Sequence, residues 1–216
     1  MVGVLVSSKT LVGKKNKYPN RYPDVQHVAS IFQKHHAAFN VIHYSTDERE
    51  TLRYQLMMLA DEVGGQHLHG FQLNMVWPAR EALLDFRNAT KKKYRIILQI
   101  GRQAMTNYEH DPVRIACKAA LYENSIDAVL IDQSGGKGHQ IENLNFVLDV
   151  IKALKELAPT IDIGVAGGLH SGTMHVMRSF LTTYPDLNWD AESGLRTDDD
   201  DLDILEVVDY LKASHF

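Results

Sequence analysis

The chain has 216 residues, of which 44% are hydrophobic and 23% charged, and its 23 basic and 27 acidic side chains give a net charge of −4. This is the composition of a globular protein, and the mildly acidic balance argues against broad nucleic-acid binding, which needs a positive surface. The single cysteine, Cys117, excludes an intrachain disulfide. Neither a membrane helix of roughly 18 apolar residues nor a secretory signal can be recognised, so we expect a cytoplasmic protein that does not bind membranes.

Short apolar runs rich in β-branched residues predict seven strands, at residues 2–6, 39–43, 71–75, 94–100, 126–131, 161–166 and 187–191. Helical spacing of apolar residues lies between them, most clearly over 52–63, 144–154, 174–181 and 205–211, with weaker helices near 24–36, 79–89 and 111–123. Ser171 and the acidic run 198–201 are typical of helix starts and are expected to precede the last two helices.

Strict alternation of strand and helix predicts an α/β fold with a parallel sheet. We expect a single domain over residues 1–216, a TIM-type (β/α) barrel in which seven strands are visible instead of eight. The barrel is then incomplete or is completed by a partner, and an open edge would favour a homodimer because unpaired strand edges attract other chains. A doubly wound open sheet is the alternative, although its Gly-rich fingerprint after the first strand is absent.

The last three predicted strands all end in glycine-rich turns, where parallel α/β folds place their functional residues. Asp132 leads into the first turn, Gly167 and Gly168 form the second, and Ser193 and Gly194 belong to the third. Glycine lets backbone N–H groups approach an anion, and barrels often bind phosphate in the last two loops. The pattern therefore favours a phosphate-bearing ligand, while the simpler interpretation is that each turn only needs a positive φ angle.

These turns resemble those of the phosphoribosylanthranilate isomerase family, a (β/α) barrel of tryptophan biosynthesis. The matching segments are DAVLIDQSGGKG, GVAGGL and WDAESGLR, in the family's order and spacing over residues 126–196. Upstream, NRYPDVQHVASIF and AFNVIHYSTDERETL are similar to the family's second and third βα units, and FQLNM stands where the family has Val-Gln-Leu-His-Gly. In this register the chain begins at the family's second strand, without the motif that carries the catalytic cysteine. Residues 66–70 offer an alternative register for the fourth strand.

The resemblance implies an Amadori-type aldose–ketose isomerisation that needs one acid, one base and neither metal nor organic cofactor. It implies that Asp132 is the general acid, that Arg21 holds the substrate carboxylate and that Asp190 lies near the substrate. The phosphate-binding positions that it implies are Gly136, Gly138, Gly167, Gly168, Ser193 and Gly194.

The general base has no counterpart in the matched motifs. His43 ends a predicted strand and has a suitable intrinsic pKa, so it is the candidate base, whereas Ser7 and Ser8 would each need an activating partner. Cys117 is expected to be a small buried hydrophobe on an outer helix. No His, Asp or Glu cluster has zinc-site spacing, so no metal site is expected.

Three functions therefore compete. The first is an isomerase of this type that acts on a phosphosugar with Asp132 and a replaced base. The second is a non-catalytic barrel that binds a phosphorylated ligand and has lost the general base. The third is a scaffold whose open edge serves dimerisation.

Overall fold

A computed structural model of the protein describes residues 1–134 and 140–215. Contacts between residues divide the chain into two compact units. The first unit comprises Met1–Gln99 and Asn124–Asp127, and the second comprises Ile100–Glu123 and Ala128–Phe216. The expectation of a single domain over the whole chain stays a prediction.

The two units differ in charge. By sequence, the first unit carries 14 lysines and arginines against 9 aspartates and glutamates, a formal charge of +5. The second carries 9 basic and 18 acidic residues, a formal charge of −9. The small net charge of the chain is thus the sum of a basic unit and a more strongly acidic one.

In the first unit, parallel strands follow one another in chain order, and helices connect them. The strand Asn40–Ser45 is buried on both faces, because Val41, Ile42 and Tyr44 are fully buried. The elements of this unit are β1 (Val2–Ser7), α1 (Ser8–Leu11), α2 (Val28–Ile31), β2 (Asn40–Ser45), α3 (Leu52–Met58), a π-helical turn (Leu59–Val63), β3 (Gly70–Leu73), α4 (Arg80–Ala89) and β4 (Arg95–Gly101), whose last two residues belong to the second unit.

The second unit has the same βα character, with strands β5, β6 and β7 parallel and in chain order. Its longest helix buries one apolar stripe, formed by Val147, Val150, Ile151 and Leu154. The elements of this unit are α5 (Arg102–Thr106), α6 (Pro112–Ala120), β5 (Ala128–Asp132), α7 (Leu144–Leu157), β6 (Asp162–Ala166), α8 (His175–Thr183), β7 (Asn188–Asp190) and α9 (Ile204–Ala213).

All seven predicted strands are present within one or two residues of their expected bounds, and the parallel α/β fold is confirmed. β3 begins at Gly70, where the preferred strand position places it, and the stretch before it contains no strand. Its match to the family's fourth strand stays a prediction. None of the helices in the two described ranges is long and apolar enough to cross a membrane.

Several helix predictions were wrong in detail. Instead of one helix over 24–36, only Val28–Ile31 is α-helical. Ser171 precedes a helix as expected, and α8 begins four residues later at His175. The last helix is capped by Asp203, whose Oδ1 accepts the N–H groups of Leu205 and Glu206 at 3.0 and 3.1 Å, and the acidic run 198–201 lies before this cap.

Cys117 is exposed, which corrects the expectation that it is buried. It lies on α6, whose buried stripe contains Ile115, Ala116 and Ala119. The next helical position turns away from that stripe by about 100°, so Cys117 faces outward although its sequence neighbours are apolar.

A hydrogen-bonded ion pair ties α4 to the end of the first unit. Asp127 Oδ2 accepts the Arg87 Nη2–H at 2.5 Å and the backbone N–H of Ile96 at 2.7 Å. The Asp127 N–H in turn donates to the Ile96 carbonyl at 2.8 Å, and Arg87 Nε donates to the Ser125 carbonyl at 2.9 Å. A single carboxylate therefore aligns segment 124–127 with β4.

Candidate functional site

Two of the predicted site residues, Asp132 and Asp190, lie in one row of the sheet of the second unit. Asp132 pairs with Ala166 across β5 and β6, and Ala166 pairs with Asp190 across β6 and β7. Paired residues of parallel strands project to the same face, so the two carboxylates flank a small side chain, about 10 Å apart by two strand spacings. The sheet thus places in one row the two carboxylates to which the resemblance assigned a role.

The neighbouring row of the sheet, two residues earlier on the same face, is apolar beside Asp132. Leu130 pairs with Gly164 in this row, and a Cβ on Gly164 would lie 3.1 Å from Leu130 Cδ1. The leucine side chain therefore covers the space that glycine leaves open. Asp132 lies at the carboxyl end of its strand, next to Leu130 on the same face, and is only 4% exposed.

Two hydrogen bonds of Asp132 shape the turn that follows β5. Its Oδ1 accepts the backbone N–H of Ser134 at 2.9 Å and the Ser134 hydroxyl at 2.6 Å. A carboxylate bonded to the N–H two residues ahead closes an Asx-type turn, which was the competing interpretation of this residue. The turn leads directly into residues 135–139, so Gly136 and Gly138 lie outside the described residues.

The glycine turn after β6 has the conformation that only glycine adopts at low cost. Gly167 and Gly168 have φ angles of 138° and 56°. Thr173 stabilises the turn, because its hydroxyl donates to the Gly168 carbonyl at 3.0 Å and accepts the His170 N–H at 2.9 Å. The positive φ angles are therefore a structural requirement at both positions, whatever the turn binds.

The last two glycine turns contact each other. Gly194 lies in a short 3₁₀ turn, Ser193–Leu195, at the end of β7. A Cβ on Gly194 would stand 2.4 Å from the Leu169 carbonyl oxygen and 3.0 Å from the His170 Cβ. No other residue would allow this approach, so the turns after β6 and β7 form one continuous backbone surface.

A carboxylate of the protein already occupies the polar groups of Ser171. Glu206 of α9 accepts the Ser171 N–H at 2.6 Å and the Ser171 hydroxyl at 3.1 Å. The sequence predicts only that Ser171 precedes a helix. A phosphate at Ser171 itself would have to displace Glu206, whereas the turns at Gly167–Gly168 and Ser193–Gly194 lie outside this contact.

Tyr210 is a residue of this region that sequence reasoning missed. Burial raises the pKa of its phenol to about 12, and the charge of Asp190 adds to this effect. Hydrogen bonds with the side chains of Ser214 and Trp189 act in the opposite direction. Tyr210 therefore stays protonated at neutral pH and places a phenol near one of the two row carboxylates. Only its position on an amphipathic helix was visible in the sequence.

The remaining predicted residues, Arg21 and His43, belong to the first unit. Arg21 ends a 3₁₀ turn, and its guanidinium carbon lies 5.1 Å from the centre of the Tyr18 ring. His43 is half-buried in β2, in register with Leu5 of β1 and Gln72 of β3. Their expected roles as carboxylate ligand and general base stay predictions.

Among residues 1–134 and 140–215, no group of three or more His, Cys, Asp or Glu side chains is arranged to hold a metal ion. Comparison with protein-family models and with curated proteins finds no match to this sequence. The resemblance to phosphoribosylanthranilate isomerases therefore rests on the quoted motifs and on the order of the strands that carry them.

Proposed function

We propose that the protein binds a phosphorylated sugar in the manner of phosphoribosylanthranilate isomerases, with its phosphate at the last two glycine turns. The close approach of Gly194 to the Leu169 carbonyl carries this proposal, because it joins two glycine turns into one backbone surface. Backbone N–H groups in such turns form anion-binding concavities without any cationic side chain. This matters in the second unit, whose formal charge of −9 would otherwise repel a phosphate.

The same proposal includes the complete architecture. The seven parallel strands belong to one TIM-type (β/α) barrel of a single domain, which a partner completes. Phosphate binding by the last two loops is the usual arrangement of such barrels. A second copy of the chain is the proposed partner, and a monomer at every concentration in sedimentation measurements would count against it.

In the catalytic form of this proposal, Asp132 protonates the furanose ring oxygen of an N-ribosyl anthranilate, and the C1–O bond breaks to give a Schiff base. A base, for which His43 is the candidate, then removes the C2 proton, and the resulting enolamine becomes the ketose. Arg21 would bind the anthranilate carboxylate with its planar fork of donors. Asp190, in the same row as Asp132, would contact the sugar.

The alternative is a protein that binds the phosphosugar without converting it. One observation favours it: Asp132 Oδ1 accepts two hydrogen bonds from Ser134 that shape the turn. A general acid must instead deliver a proton to the substrate within hydrogen-bond reach.

Turnover of N-(5′-phosphoribosyl)anthranilate by the full chain tests the two forms, with Asp132→Asn as the variant and Asp149→Asn as its control. Asp149 is an exposed residue of α7, so its substitution makes the same chemical change away from the row. Turnover by the unchanged chain and by Asp149→Asn, but not by Asp132→Asn, would support the isomerase. Binding without turnover would support the binding protein, and the absence of both would overturn the proposal.

A further inference from the structure

The first unit concentrates positive charge in one short segment. Residues 9–21 contain five basic residues and no acidic one, namely Lys9, Lys14, Lys15, Lys17 and Arg21. This segment follows β1 directly and includes α1. Clustered cations raise the local concentration of small anions and speed their encounter with a nearby site.

A cavity of about 300 Å³ opens at the carboxyl ends of β1, β2 and β3, next to this basic segment. Its volume is at the lower end of the range for small-molecule sites. The walls combine apolar surface with polar groups, namely hydroxyl, amide, carboxylate and ammonium groups from Ser7, Ser45, Thr46, Asn74, Asp47 and Lys17. Ser7, Ser45 and Asn74 lie at three adjacent strand ends, so the site is built on the sheet and not on a single loop.

The loop that carries Lys17 is held in place over this cavity. Ser7 Oγ donates to Asn16 Oδ1 at 2.8 Å, and Asn16 Nδ2 donates to Thr10 Oγ1 at 2.9 Å. Thr10 Oγ1 also accepts the Ser7 N–H at 3.2 Å. The amide of Asn16 thus joins the loop to the end of β1 before any ligand arrives, which lowers the ordering cost of binding.

Gln72 of β3 provides a buried hydrogen-bond donor on the same face as Asn74, which lines the cavity. Gln72 is 2% exposed, and its Nε2 has no hydrogen-bond partner in the described part of the protein. Asn74 lines the cavity two residues later, just past the end of the strand. Its N–H donates to the Tyr44 carbonyl at 2.8 Å, so the extended pairing continues and Asn74 lies on the same face as Gln72. A buried amide without a partner is unfavourable, so a ligand acceptor that reaches Gln72 beneath Asn74 would gain binding free energy.

We propose that this cavity is a binding site for a small hydroxylated organic anion, either a sugar phosphate or a sugar acid. Lys9 and Lys17 would neutralise the anionic group. Asp47 would accept hydrogen bonds from ligand hydroxyls, and the serine hydroxyls and amides would satisfy the remaining oxygen atoms. The site uses none of the residues of the glycine turns, so it does not depend on the function proposed above.

Amide chemical shifts of the ¹⁵N-labelled full chain, titrated with three probes, test this site. The probes are ribose 5-phosphate, gluconate and neutral ribose, which separate phosphate, carboxylate and hydroxyl recognition. We expect shifts at residues 45–47 and 74 with at least one of the two anions, and binding at least about tenfold weaker with ribose. Lys17→Gln and Asn74→Leu should each weaken binding of the anion by about five- to tenfold.

Lys91→Gln is the matched control, because it removes an exposed charge from the same unit away from the cavity. It should leave the affinity unchanged. Shifts confined to residues 167–168 and 193–194 would overturn this inference and support the phosphate site of the second unit. Shifts at both places would support both proposals, and equal binding of ribose would overturn the requirement for an anion. No shift with any probe would overturn the inference.

Discussion

Glu206 accepts both the backbone N–H and the hydroxyl of Ser171, at 2.6 and 3.1 Å, across 35 residues of sequence. The contact fixes α9 to the turn that follows β6. Since no residue of α9 is fully buried, this carboxylate and the half-buried Tyr210 are important attachments of the helix.

Replacing Glu206 by alanine is expected to lower the free energy of unfolding by about 1–2 kcal/mol, because two hydrogen bonds to a charged acceptor are lost. Glu206→Gln keeps an acceptor oxygen and should lose less. Urea denaturation followed by circular dichroism measures both variants. Glu156→Ala, at an exposed position of α7, is the control, and an equal loss in that variant would show that the Ser171 contact contributes nothing specific.

Asp127→Ala is expected to destabilise the first unit by about 2–3 kcal/mol. The substitution leaves the Ile96 N–H and the Arg87 guanidinium, which is partly buried, without their shared acceptor. Denaturant titration of this variant, of Arg87→Met and of the double variant gives the coupling energy of the pair. Asp85→Ala on the exposed side of α4 should change stability little, and additive effects of the paired substitutions would argue against coupling.

The free energy of unfolding should fall as the pH is lowered through the ordinary pKa of His69. Burial, followed by the charges of Lys92 and His67, lowers the pKa of this imidazole below 6.5. Its Nδ1 accepts the Asn40 N–H at 2.8 Å, which requires the neutral ring. Below pH 6.5 the unfolded chain binds the proton more readily, so stability is complete above that pH and is lost as the pH falls towards the folded pKa.

Denaturation at a series of pH values between about 8 and 5 measures this slope. His69→Leu should be less stable at the higher pH, because the Asn40 N–H loses its acceptor, and its stability should depend less on pH. His27→Leu, at an exposed position, should retain the full slope. An unchanged slope in His69→Leu would assign the pH dependence to other groups.

Gly70→Ala is expected to cost about 2–4 kcal/mol. A Cβ at this first residue of β3 would lie 2.3 Å from the backbone oxygen of Arg95 in the neighbouring strand, and strand pairing cannot relax by that amount. Gly3→Ala in β1 is the matched control, since its Cβ would meet Val41 Cγ2 at an ordinary 3.8 Å. Thermal unfolding of both variants distinguishes a steric clash from a general effect of glycine replacement.

The seven strands could be predicted because buried parallel strands are nearly continuous apolar runs, and each run is local in sequence. The same reasoning placed Asp132 and Asp190 at strand ends, and the register then puts them in one row. Glycine turns were equally visible, since Gly167 and Gly168 follow an apolar run directly.

Contacts between distant segments could not be predicted in this way. Glu206 reads as an ordinary charged residue of an amphipathic helix, and nothing near it in sequence indicates Ser171. Cys117 has apolar neighbours, yet the rotation of its helix turns it outward. The cavity of the first unit combines three strand ends with a loop, so its polar residues are scattered between Ser7 and Asn74 and form no motif.

The charges of +5 and −9 on the two units predict an unusual behaviour in purification. At neutral pH and low ionic strength, the basic unit offers a surface to a cation exchanger and the acidic unit offers one to an anion exchanger. Retention on both resins is expected, although the whole chain is slightly acidic. Added salt shortens the Debye length to about 10 Å at 0.1 M and should release the protein from each. Electrophoretic mobility, by contrast, follows the sum of the two charges and would report only a weakly anionic chain.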